Sequence, residues 1–138
     1  MRLNEHQIKE ISEELQCGNL CYFHKLTGEI ASFPDPNNPY VDVELFREEV
    51  DKVETDFLNY VEFKPMPSYQ SYQVMEDFAE ALPDKRFKGR LLQLLSERKP
   101  FSKFKWAVDN SDYRQDWFDF RDQAYFEWVK EQVEEHQR

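Results

Sequence analysis

A chain of 138 residues with a net charge of −10 fits one domain, and folding at this size buries roughly two thirds of the surface that the unfolded chain exposes. Its charge argues against unassisted binding to nucleic acid or an anionic membrane. With 40% apolar residues, 16% aromatics and only three glycines, the chain reads as ordered and globular, and no run is long enough to cross a bilayer.

The first residues, Met1-Arg2-Leu3-Asn4-Glu5, form no apolar signal segment, so a cytoplasmic location is expected. Cys17 and Cys21 stand as C-x3-C with no further cysteine to build a disulfide framework, and reduced thiols are expected. Asn4 can cap a first helix with Gln7 three residues on, and Ile8, Ile11 and Leu15 share one face. Gly18 reads as the left-handed residue that ends it. Leu20 to His24 and Glu29 to Phe33 are β-favouring runs joined by Lys25-Leu26-Thr27-Gly28, a hairpin with a glycine at its turn.

Pro34-Asp35-Pro36-Asn37-Asn38-Pro39 is a loop, because so many prolines fit neither a helix interior nor a central strand. Asp42 offers a cap for a second helix with the stripe Leu45, Phe46, Val50 and Val53. Tyr60 to Lys64 reads as a third strand, stopped by Pro65 and Pro67. Ser68 would cap a third helix with Tyr72, Met75, Phe78, Ala79 and Leu82 on one face, ended by Pro83. Asp84 starts a fourth, burying Phe87, Leu91, Leu94 and Leu95. Pro100 suits the first position of a fifth, with Phe101, Phe104 and Val108 inward. Asn110, Ser111 and Asp112 offer the last cap, and the final helix runs towards His136 with Tyr113, Trp117, Phe120, Ala124 and Trp128 on a stripe. The last third, Leu91 to Glu135, holds all three tryptophans and is expected to anchor the core.

The order α-β-β-α-β-α-α-α-α implies an α+β fold, a small three-stranded antiparallel sheet with five to six helices. It reads as a single domain over 1–138, with a sheet-bearing half at 1–66 and a helical half at 67–138.

Three stretches carry a likeness to a known family. They are Cys21-Tyr22-Phe23-His24-Lys25-Leu26-Thr27-Gly28-Glu29-Ile30, then Met75-Glu76-Asp77-Phe78, then Pro100-Phe101-Ser102-Lys103-Phe104-Lys105 followed by Trp117-Phe118-Asp119-Phe120-Arg121-Asp122. Together they resemble a family of small acidic bacterial proteins catalogued as uncharacterised protein family 0158, over about Ile8 to Glu135. Members usually have Gly and a small residue before the first Phe of the F-x-x-F-K block, where this chain has Arg98-Lys99-Pro100. The resemblance implies a bacterial, cytosolic, single-domain protein, and it transfers no catalytic residue.

Charge supplies the strongest functional signal. Residues 85 to 105 hold Lys85, Arg86, Lys88, Arg90, Arg98, Lys99, Lys103 and Lys105 against Glu97 alone, a local +7 that leaves −17 for the remainder of a chain at −10. Three of these cations lie in the first turn of the fourth helix, where the macrodipole disfavours them by about 0.3–1 kcal/mol each. One reading pairs the segment with acidic faces carrying Glu76, Asp77, Glu80 and Asp116, and a second with an acidic partner or second subunit. Another makes Arg98, Lys99, Lys103 and Lys105 anion-binding residues for a phosphorylated ligand or nucleic acid, with Phe87, Phe101, Phe104 and Trp106 close by in sequence.

The last helix has more aromatics than a one-sided core contact needs. Phe118, Tyr125, Phe126 and Trp128 are therefore interface candidates, and the first functional expectation is a non-enzymatic interaction or regulatory module with a protein partner or a second copy of itself. Metal chemistry has two footholds. Cys17, Cys21 and His24, with His6 as a fourth, have zinc-type donor atoms, but Cys21 and His24 should point to opposite faces of a strand. Asp112, Asp116, Asp119 and Asp122 recur at helical spacing, yet Arg114 and Arg121 are at hand to pair with them. No metal and no cofactor is expected. There is no G-x-S-x-G and no glycine-rich phosphate loop, and no catalytic residue is assigned.

Overall fold

The structure, a computed structural model, describes residues 1–137. It is α+β, with three strands and six α-helices in the expected order: α1 (Glu5–Gln16), β1 (Leu20–His24), β2 (Ile30–Phe33), α2 (Arg47–Thr55), β3 (Tyr60–Phe63), α3 (Ser68–Ala81), α4 (Lys85–Leu95), α5 (Pro100–Asp109) and α6 (Arg114–His136). The chain divides into two compact units, Met1–Pro65 with Tyr125–Arg138, and Met66–Ala124. The stretch from Tyr125 onward, expected in the helical half, thus belongs with the sheet, because Val129 and Val133 of α6 are buried with Phe63 and Ile11.

In the sheet-bearing unit, local chemistry sets the element ends. Asn4 Oδ1 accepts from the Gln7 amide at 2.8 Å and Gln7 Oε1 accepts from the Asn4 amide at 2.9 Å, a reciprocal cap that satisfies two otherwise orphaned donors. Gly18 follows α1 at φ +87° and Gly28 closes the hairpin turn at φ +76°, both conformations that a side chain resists. The sheet order is β2-β1-β3, antiparallel throughout, with Tyr22 opposite Ala31 on one side and Glu62 on the other. Cys21, Phe23, Val61 and Phe63 join α1 and α6 in one core cluster, whereas Ala31, Phe33 and Tyr60 join α2 in a second. Burying an aliphatic or aromatic side chain of this kind contributes about 1.5–3 kcal/mol.

One expected stripe and one expected cap are corrected. Asp42 caps a 3-10 turn, Val43–Phe46, rather than an α-helix. Its tighter winding leaves Leu45 83% exposed, while Val50 and Val53 are buried as expected. Ser68 is the first residue of α3 and makes no cap; the preceding residue is Pro67, whose carbonyl accepts from the Gln70 and Ser71 amides.

In the second unit, Phe78 of α3, Phe104 of α5 and Trp117 of α6 pack edge-to-face, with centroid separations of 6.4 Å, 5.3 Å and 4.9 Å around the triangle. Such pairs add about 0.5–1.5 kcal/mol each beyond the area they bury. Leu91 and Leu95 bury the apolar face of α4. The Tyr72 hydroxyl donates to the Leu95 carbonyl at 2.9 Å, tying α3 to the end of α4. Among the described residues no helix is long and apolar enough to cross a membrane.

Candidate functional site

The most distinctive surface lies on α4, α5 and the turn before α6. Asp84 caps α4 by accepting from the Arg86 and Phe87 amides at 3.0 and 3.1 Å, which fixes the first turn despite its cations. Lys99 precedes α5 at φ +52° and ψ +54°, in the left-handed region, and Pro100 then opens the helix. Phe104, Ala107 and Val108 turn inward on α5. Phe101, expected to face inward, is left 37% exposed, and Trp106 is 62% exposed.

Trp106 and Arg90 line two adjoining hollows. The larger, about 560 Å³, is bounded by Asp84, Arg86, Phe87, Asn110 and Tyr113. The smaller, about 250 Å³, is bounded by Leu94, Lys99, Ser102 and Lys103. The Arg90 guanidinium sits 5.9 Å from the Trp106 ring centroid. Phe87 and Tyr113 stack at 5.3 Å with 16° between their planes and form an aromatic wall of the larger hollow.

The electrostatics leave most of this basic segment unneutralised. Of its eight cations, only Lys88, with Glu80 at 3.0 Å, and Lys103, with Glu97 at 3.2 Å, form ion pairs with carboxylates among the described residues. Glu80 is the only member of the expected acidic faces that takes part, and Gln73 occupies Glu76 and Asp77 instead. Tyr113 lies with its hydroxyl 3.5 Å from Asp84 Oδ2. Burial, then the nearby Asp84 carboxylate, raises its pKa, so it stays a neutral phenol that can donate.

Residues 8–137 match the uncharacterised protein family (UPF0158), as the three sequence stretches implied. The chain belongs to that family. No curated protein and no solved structure matches it.

The remaining candidates of this UPF0158 chain fall elsewhere. Arg98 is exposed. Lys105 lies on a third hollow of about 290 Å³ with Phe101, Phe118 and Arg121. Phe118 is half-buried between two guanidinium groups, with Arg114 and Arg121 each 5.0 Å from its centroid. The Arg121 Nε is buried without a hydrogen-bond partner, while its Nη2 lies 3.6 Å from Asp122 Oδ1. Tyr125, Phe126 and Trp128 pack half-buried against the sheet-side core, and Trp128 Nε1 donates to the Lys64 carbonyl at 2.8 Å.

Neither metal foothold assembles. Cys21 is buried in the core, with its thiol pushed up to about 12 by burial and by Glu14 and Glu10. Cys17 is exposed at the end of α1. His24, on the opposite face of β1 from Cys21, has both ring nitrogens engaged. Nδ1 accepts from the Leu26 and Thr27 amides at 3.2 and 3.1 Å, which places the proton on Nε2, 2.7 Å from Asp56 Oδ2. Of the acidic row, Asp112 lies ahead of α6 beside the larger hollow, and Asp119 accepts from Gln115 at 2.9 Å. Arg86, Arg90 and Tyr113 were the site residues that sequence reasoning missed. Their signal is three-dimensional, since Arg90 and Trp106 meet only once two helices are packed.

Proposed function

We propose that the protein is a binding module for a phosphate-bearing ligand, held in the hollows between α4 and α5. One observation supports this most. Arg86, Arg90 and Lys99, which have no carboxylate partner among the described residues, line hollows whose shared wall is an exposed tryptophan. Cations without a carboxylate partner can take an anion in its place, on the side of the larger hollow away from Asp84 and Asp112. Guanidinium groups suit the task because they present planar, paired donors to phosphate oxygens.

Affinity for a small ligand should be modest. Exposed charge contacts of up to about 1 kcal/mol each hold a bare phosphate in the millimolar range or more weakly, and a ligand with a flat ring gains about 1–3 kcal/mol more by stacking. A cytoplasmic, bacterial setting, with both cysteines kept as thiols, belongs to the same proposal. The alternative, a protein partner on the aromatic face of α6, finds less support because Phe118, Tyr125, Phe126 and Trp128 are already half-buried.

Calorimetric titration with inorganic pyrophosphate tests the proposal. The unmodified protein should bind, and Arg86→Ala with Arg90→Ala together should abolish binding while the circular dichroism spectrum stays the same. Equal binding by both proteins would refute it.

A further inference from the structure

Trp106 stands between the two hollows, 62% exposed, and cations lie on both sides of it. Arg86 borders the larger hollow, Lys99 and Lys103 border the smaller, and Arg90 lies at the divide. A single phosphate seated on one side would leave the charges on the other unused. A chain of phosphates crossing the indole meets both sets.

We infer that the occupant is a short stretch of single-stranded nucleic acid that crosses Trp106 with one base stacked on its indole; this rests on the phosphate-binding reading above. A platform of this kind works on any base with an exposed face and is useless to a duplex, whose bases are stacked on one another. The larger hollow extends the surface. Its stacked Phe87–Tyr113 wall supplies further flat apolar area, and Asn110 and Asp112 at its edge supply acceptors for base N–H donors such as thymine N3–H. The −17 carried by the rest of the chain, with the basic segment at +7 and the total at −10, lowers the affinity for any strand and opposes contact outside the strip. Contact is thereby confined to a few nucleotides.

Fluorescence anisotropy of a labelled hexathymidylate with the full chain, at 50 and 200 mM salt, tests the inference, with unlabelled thymidine 5′-monophosphate and inorganic pyrophosphate as further ligands. Three neutralised phosphates give a log–log slope of about −2, so affinity should fall roughly twentyfold between the two salts. The hexamer should bind at least about tenfold tighter than the monophosphate. Trp106→Ala should weaken it at least about fivefold, Trp106→Phe should restore most of that loss, and Lys99→Gly should flatten the slope by about 0.7.

A hexamer that binds no tighter than the monophosphate, or that is indifferent to Trp106→Ala, overturns the strand. If pyrophosphate still binds through Arg86 and Arg90 in that case, the phosphate-binding reading survives. Binding of none of the three ligands removes both.

Discussion

Arg90 holds its guanidinium 5.9 Å from the ring of Trp106, across the seam between α4 and α5, at the common wall of both hollows. A cation near an indole at this distance gains about 0.5–1 kcal/mol at an exposed site. The contact also holds the charge beside the aromatic surface before any ligand arrives, so less side-chain freedom is lost on binding. Trp106 is therefore read as a platform, and its replacement should separate function from folding.

Trp106→Ala should cost no more than about 1 kcal/mol, the size of the lost contact with Arg90 at this exposed position. Trp117→Ala should cost about 3–5 kcal/mol, because Trp117 is buried between Phe78 and Phe104. Urea unfolding of the two variants makes the comparison. A large loss in the first would mean that Trp106 belongs to the core after all.

Lys99 adopts a left-handed conformation, with φ +52°, that costs a non-glycine residue about 1–2 kcal/mol. Lys99→Gly relieves that strain and adds about 0.5–1 kcal/mol of unfolded-chain entropy, for a net stabilisation of about 0.5–1 kcal/mol. The same change removes a cation from the smaller hollow, so pyrophosphate should bind more weakly to the more stable protein. Thermal unfolding and calorimetry of one variant check both halves.

His24 ties the hairpin turn to the segment before β3, and its Nε2–H holds the Asp56 carboxyl below the ordinary aspartate value, helped by Asn59. A carboxylate whose pKa is depressed on folding contributes stability above its unfolded value and loses it as the pH falls through the folded one. Stability should thus decline as the pH drops below about 4, the ordinary aspartate range. In Asp56→Asn that part of the decline should be absent. Denaturant midpoints of both proteins from pH 5 to pH 2 would show it.

The two thiols should react at very different rates. Cys17 is exposed, whereas Cys21 is fully buried in the core and its thiol is pushed up to about 12. A thiol-specific reagent at pH 8 should label one site quickly in native protein and the second only on unfolding. Peptide mapping after brief labelling should find the label on Cys17 alone.

Much of the fold is written in short-range signals. The Asn4–Gln7 cap, the Gly28 turn, the Asp84 cap and Pro100 at the head of α5 each lie within a few residues of what they control, and each sits where the residues imply. Errors arose where a stripe had to choose a face. Phe101, Phe104 and Val108 fit one side of α5, but the structure buries Phe104, Ala107 and Val108, which turns Phe101 and Trp106 outward. Periodicity ranks large residues as core and undervalues Ala107, whose small side chain lies buried on that face. The candidate site was half legible. Charge density marked residues 85 to 105, whereas the joining of Arg90 to Trp106 and of Phe87 to Tyr113 depends on packing that no local pattern encodes.

The central claim is best tested by titrating the isotopically labelled 138-residue chain with thymidine 5′-monophosphate while following backbone amides and the three indole N–H signals by NMR. The account predicts the largest shifts at the Trp106 indole and at the amides of Arg86 to Arg90 and Lys99 to Lys103, with Trp117 and Trp128 little moved. Shifts centred on the β1–β2 hairpin or on the end of α6, or none at millimolar ligand, would contradict it.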